Sequence, residues 1–207
     1  HSRVELLHRI AMIHEQRVGN VAASFDAYAR ALRDDSGNQL TLGHLERLSE
    51  IINGWDSLSQ LLAAEAEKSL DVPRQVDLWS RLARVYEHEL GDVAKAVATY
   101  RRILDAEYDN RPAVHALDRL FTHTAAWQDL VQILRREIQL AEAEEESLSL
   151  QFRLGQTFEE HLGDRKAAVE VDPLSGDDPS GSNVGKTMTR AAIVVLIVLL
   201  VAVVVSQ

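Results

Sequence analysis

Cysteine is absent from the 207 residues, so disulfide staples and thiolate metal sites are excluded, and nothing in the composition reports a redox compartment. Aromatic residues make up only 5% of the chain, and there are four prolines: Pro73, Pro112, Pro173 and Pro179. Ala, Leu, Val, Glu and Arg dominate instead, a composition that favours helices packed through small side chains. Runs of basic residues are also lacking. The formal charge is −10. The last 37 residues hold three acids and two bases, which leaves 29 acids against 20 bases in residues 1–170. A face that grips a nucleic-acid backbone needs clustered Lys and Arg, so nucleic acid is excluded as a partner.

What the chain does contain is an internal repeat. Shifted by 72 positions it matches itself without a gap. Leu6, Arg9, Glu15, Gly19, Tyr28 and Leu32 fall on Leu78, Arg81, Glu87, Gly91, Tyr100 and Leu104. In the second half of the unit, Leu45, Arg47, Leu48, Trp55 and Glu65 fall on Leu117, Arg119, Leu120, Trp127 and Glu137. A third copy begins at Ser149 and places Leu150, Arg153, Leu154 and Glu159 on the same positions.

Each unit divides into two hairpins of about 36 residues with helical apolar spacing. Leu78, Leu82, Val85 and Tyr86 share one face, and Val93, Val97, Tyr100 and Leu104 share another. Gly91-Asp92 and Gly163-Asp164 supply a left-handed corner followed by a helix cap. Pro73 and Pro112 stand near first helical positions. The predicted helices are 4–17, 20–33, 39–53, 56–69, 74–89, 92–106, 112–124, 127–143, 147–161 and 164–171. Helix begins by Val4 without a polar capping element, and no signal peptide is visible, so repeat sequence upstream of His1 is expected.

Leu82-Ala83, Tyr86, Gly91-Asp92, Ala96, Tyr100 and Ile103 resemble the tetratricopeptide pattern of large, small and aromatic positions, as do Leu154-Gly155, Phe158, Gly163-Asp164 and Ala168. The turn before Gly91 is one residue longer than in the usual 34-residue unit. The even-numbered hairpins open their second helix with Trp55 and Trp127 in place of a Gly-Asp corner. The resemblance implies an all-α, right-handed superhelix (solenoid) of antiparallel hairpins over residues 1–171, with a concave groove lined by the first helix of each hairpin. It also implies a protein or peptide ligand in that groove. The family's inward positions fall on Asp77, Ser80, Arg84, Glu87 and His88 in the third hairpin and on Arg119, Thr122 and His123 in the fourth. The first hairpin offers Glu5, His8, Met12, Glu15 and Gln16, and the fifth offers Phe152, Gln156, Glu159 and Glu160. Chaperone-binding members hold a C-terminal carboxylate with Lys and Asn, where this chain has Ser80 and Arg84, or His8 and Met12; that activity is not expected. An acidic or polar extended peptide is.

No catalytic site, cofactor or metal is expected. The eight histidines lack ligand spacing, and no nucleophile–base or paired-carboxylate pattern emerges. The run Gly181-Ser182-Asn183-Val184-Gly185-Lys186-Thr187 approaches a phosphate-binding loop, but the first required Gly is Ser180 and no strand precedes it. Nucleotide binding at 180–187 is therefore the remote alternative. Asp172-Pro173 ends the repeat pattern. Residues 172–187 then read as a Ser/Gly/Asp/Pro linker. Residues 188–207 read as a hydrophobic C-terminal helix, built on Ala191–Val205, 15 residues without a polar side chain. The expectation is a single-pass membrane tail anchor with Lys186 and Arg190 holding the repeats on the cytoplasmic side. The alternative is a soluble scaffold on which the tail is foreign or irrelevant.

Overall fold

The computed structural model describes residues 2–171. The linker, the near-phosphate loop and the tail-anchor segment expected from sequence all lie outside the described residues.

Ten α-helices follow one another, and no strand occurs among the described residues. They are α1 (Arg3–Ile13), α2 (Val21–Asp34), α3 (Gln39–Ile52), α4 (Trp55–Lys68), α5 (Val72–Arg84), α6 (Val93–Ala106), α7 (Arg111–His123), α8 (Trp127–Leu140), α9 (Glu144–Gln156) and α10 (Arg165–Val171). Each helix packs on the next, so the chain is a row of five antiparallel hairpins. The 72-residue period survives in three dimensions. Under that shift α2 coincides with α6, and α4 with α8, end for end. Among the described residues, no helix is long and apolar enough to cross a membrane.

All ten expected helices are present, with two informative differences at their ends. First, α8 stops at Leu140 and α9 starts at Glu144, three residues earlier than each was expected. Glu144, Glu145 and Glu146 form the first turn of α9, where carboxylates favour the unpaired N–H groups and the positive end of the helix dipole. Second, α1, α5 and α9 each run on into a π-helical turn, at His14–Val18, Val85–Glu89 and Thr157–Leu162. A π turn absorbs one extra residue inside a helix. That is where the one extra residue before Gly91 goes. The corner is then closed the same way three times. Gly19, Gly91 and Gly163 take φ of +69°, +62° and +67°, a conformation that costs a side chain with a Cβ. The next residue's N–H reaches back to a carbonyl, from Asn20 to His14, Asp92 to Tyr86 and Asp164 to Phe158. Its side chain caps the following helix, accepting from the N–H of Ala23, Lys95 or Ala167.

The core is a strip of leucines running the length of the row. Leu45, Leu48, Leu58 and Leu62 and their copies Leu117, Leu120, Leu130 and Leu134 are all buried. Tyr28 and Tyr100 are buried at the same place in successive units. Fully burying a leucine contributes about 1.5–3 kcal/mol, so this strip is what holds neighbouring hairpins in contact.

Candidate functional site

The first helices α1, α3, α5, α7 and α9 are linked to one another by charge. Glu15, in the π turn after α1, accepts two hydrogen bonds from Arg47 of α3, at 2.7 and 2.8 Å. Glu46 of α3 accepts from Arg81 of α5 at 2.6 Å. Glu87, in the turn after α5, pairs with Arg119 of α7. Asp118 of α7 takes a two-pronged bond from Arg153 of α9, both at 2.6 Å. The first helices of neighbouring hairpins are thereby tied by one carboxylate–guanidinium pair at each junction, and Arg102–Glu67 and Arg101–Asp129 add pairs between second helices. The first and third pairs are 72-residue copies of each other, and so are the second and fourth. Planar guanidinium groups meeting carboxylates two-pronged fix orientation as well as distance.

Electrostatics follow from burial. The side chain of Glu87 is 5% exposed. Burial pushes its carboxyl pKa up, but hydrogen bonds from Arg119 and Tyr100 more than offset this and leave it below the usual carboxylate range. Tyr100 donates its phenol to Glu87 at 3.0 Å. Burial and the neighbouring carboxylate push that phenol up to about 12. At the other end, Arg47's hydrogen bonds hold Glu15 below the usual range. His8 is half-buried, its Nε2 2.7 Å from Thr41 Oγ1, and burial and His44 lower its pKa.

The structure therefore divides the residues expected in the groove. Asp77 accepts from Gln39 and Arg81. Ser80 donates to the Val76 carbonyl at 2.7 Å. Glu87 and Arg119 are paired with each other, and Thr122 accepts from Arg153 at 3.0 Å. These five residues serve the array itself. Arg84 and His123 are exposed and carry no hydrogen bond or ion pair among the described residues. His88 is exposed and only 3.9 Å from the Glu87 carboxylate. Of the fifth-hairpin positions, Phe152, Gln156, Glu159 and Glu160 are all exposed. Of the positions expected in the third and fourth hairpins, Arg84, His88 and His123 are therefore the exposed groups that the ties between hairpins do not use, and Met12 and Gln16 of the first hairpin are exposed as well. No group of three or more potential metal ligands comes together among the described residues.

Two clefts flank the fourth hairpin. One, of about 240 Å³, lies between it and the fifth, lined by Arg111, His115, Asp118, Glu137 and Arg153. Within it Glu137 is buried, with Oε2 unpartnered and Oε1 3.1 Å from His115 Nδ1. In the preceding unit the equivalent Glu65 accepts from the Lys68 ammonium at 2.7 Å; Leu140 stands in that lysine's place. The other cleft, of about 430 Å³, lies on the opposite helices, lined by Arg101, Tyr108, Arg135 and Arg136 among others. Sequence reasoning pointed to neither, because each forms between helices of different hairpins.

The tetratricopeptide repeat family model matches residues 78–112, which run from α5 through α6 to the first residues of α7. No curated protein matches the chain in sequence. Among solved structures, it is similar to the MamA protein at 15% identity, over 81% of this chain and 87% of that one, with a TM-score of 0.48. A tetratricopeptide repeat protein from Parabacteroides merdae is similar at 13% identity, over 81% and 63%, with a TM-score of 0.48. PilF of Pseudomonas aeruginosa is similar at 18% identity, over 81% and 72%, with a TM-score of 0.47. The described residues are a tetratricopeptide-like helical repeat.

Proposed function

We propose that the chain is an interaction scaffold that holds a protein or peptide partner along its first helices and catalyses no reaction. The observation that carries this is the regular row of hairpins itself, with a tetratricopeptide match over residues 78–112. Such rows turn as a right-handed superhelix and present an extended concave face. On that face Arg84, His88 and His123 are the polar groups that the array does not use, and they favour an acidic or polar extended segment. Tethering through residues 188–207 is part of the same reading and rests on the apolar run in the sequence. The scaffold serves equally well untethered, and fractionation of the full chain after an alkaline carbonate wash separates the two forms.

The test is affinity capture with the full chain against a variant carrying Arg84→Glu and His123→Ala. Both positions are exposed, so helicity and melting temperature should not change. A partner lost by the variant supports this face. Identical captured proteins from both chains would reject it. Arg119, expected as a ligand contact, is unsuited to this experiment because its removal strips a buried carboxylate of its counter-ion.

A further inference from the structure

The second helices α6 and α8 differ from their copies α2 and α4 in one coherent way. In the larger cleft, Leu104, Leu117 and Gln132 are the same residues as Leu32, Leu45 and Gln60 one unit earlier. The charged lining is not the same. Arg101, Arg135 and Arg136 stand where the first unit has Ala29, Ala63 and Ala64, and Gln139 stands where it has Glu67. Asp105 is the one carboxylate in the lining, so three guanidinium groups against it give the cleft a net charge of +2. At the corresponding place in the first unit Arg33 and Glu67 cancel. The whole chain, by contrast, has a formal charge of −10.

The guanidinium groups are held without being neutralised. Arg136 lies over the ring of Tyr108, 4.2 Å from its centroid, and Tyr108 in turn donates to Gln139. Arg135 lies 5.8 Å from the ring of Phe158, and Arg101 lies 5.4 Å from that of Phe121. Two of these rings come with their arginines: Tyr108 and Phe121 stand where the first unit has Ser36 and Ser49. A ring occupies the face of a guanidinium and leaves the N–H groups along its edge for an acceptor. Arg135 and Arg136 carry no hydrogen bond or ion pair among the described residues. Arg101 is paired with Asp129, whose side chain is itself 49% exposed.

We infer that this cleft binds an acidic segment of a partner protein, with neighbouring Asp or Glu carboxylates taken by Arg135, Arg136 and Arg101. Guanidinium forks already meet carboxylates two-pronged inside this molecule, at Arg47–Glu15 and Arg153–Asp118. The volume of about 430 Å³ exceeds a lone oxyanion and accommodates the side chains of a short segment. A long polyanion is disfavoured by the acidic remainder of the chain. The polar groups come from α6, α8 and the corner after α6, so the site is separate from the first-helix face that carries Arg84, His88 and His123.

The first unit supplies the control. Arg135→Ala with Arg136→Ala restores its residues, and α4 and α8 coincide end for end under the repeat, so this variant should keep the parent's helicity. Labelled hexaglutamate, with hexaglutamine as the uncharged counterpart, is titrated against the full chain by fluorescence anisotropy. Hexaglutamate should bind saturably, and more weakly as salt rises. The double-alanine variant should bind it roughly tenfold more weakly, whereas Arg84→Glu with His123→Ala should bind it as the parent does. No saturable binding, equal binding by the double-alanine variant, or equal binding of hexaglutamine would overturn the inference. Loss of binding in the Arg84 and His123 variant would place the acidic ligand in the groove and overturn it too. Displacement by an equal concentration of pyrophosphate would assign the cleft to a small oxyanion. Tighter binding after deletion of residues 172–207 would assign it to the chain's own Asp172, Asp177 and Asp178. A dimer of the parent that the double-alanine variant dissolves would assign it to a second copy. Each of these three results overturns the partner segment.

Discussion

Arg119 of α7 reaches back to Glu87 of the preceding hairpin, and Arg47, 72 positions earlier, does the same to Glu15. The two pairs differ in burial: Glu87 is 5% exposed and Glu15 is 23%. Arg119→Ala should therefore cost about 1.5–3 kcal/mol, because it leaves a buried carboxylate with Tyr100 as its one strong donor. Arg47→Ala should cost about 1 kcal/mol or less, as befits a more hydrated pair. Chemical denaturation of the two variants checks the difference; equal costs would show that burial is not what sets the strength of these links.

The same pair gives an acid limb with a defined sign. The Glu87 carboxyl sits below its usual range when folded. Its stabilisation is complete above the unfolded value of about 4.3 and disappears as pH falls through the lower folded value. Glu87→Gln should therefore be less stable than the parent at pH 7 and indistinguishable from it near pH 2. Tyr100 works at the other extreme. With its folded phenol held at about 12, stability should fall between roughly pH 10 and that value, where only the unfolded chain ionises. Tyr100→Phe should lack that fall. Melting temperatures across pH, variant minus parent, decide both cases.

Glu137 should behave in the opposite way to Glu87. Burial, with the Asp118 charge nearby, raises its carboxyl above the usual range despite the bond to His115. The folded state then binds its proton more readily, so stability drops as pH rises from the ordinary value through the raised one. Glu137→Gln keeps an acceptor for His115 and removes the buried charge; it should raise the melting temperature by a few degrees at pH 7.5 and do nothing near pH 4. Glu65→Gln, one unit earlier, should bring no such gain, since Lys68 already neutralises that carboxylate. A gain at Glu65 as large as at Glu137 would refute the account.

At the corner between α7 and α8, Ala125 holds φ at +55°, whereas its copy at the previous corner is Asn53 at +52°. Asn tolerates the left-handed region, and Ala is held there at a cost of about 1–2 kcal/mol. Ala125→Gly should stabilise the chain by about 0.5–1 kcal/mol after the added freedom of the unfolded chain is counted. Ala125→Val should do the reverse. Thermal melts of both variants test the strain directly.

The sequence by itself determined the period, the ten helices and the corners. The reason is local: helical apolar spacing, a Gly that must take positive φ, and an Asn or Asp that caps the next helix each act within one turn of chain. The extra residue before Gly91 was legible too, but not the π turn that takes it up. The cleft that gathers Arg101, Arg135 and Arg136 was not legible, because it forms between second helices of different hairpins. Nor was the fate of Arg119. Its place on α7 followed from the repeat, but an arginine on a helix face can turn to solvent, to a ligand or to a carboxylate on the neighbouring helix. Glu87 lies 32 residues away in the chain, and only the packing of α7 against the hairpin before it brings the two within bonding distance. That pairing decided that Arg119 ties the array together while Arg84 and His123 stay exposed.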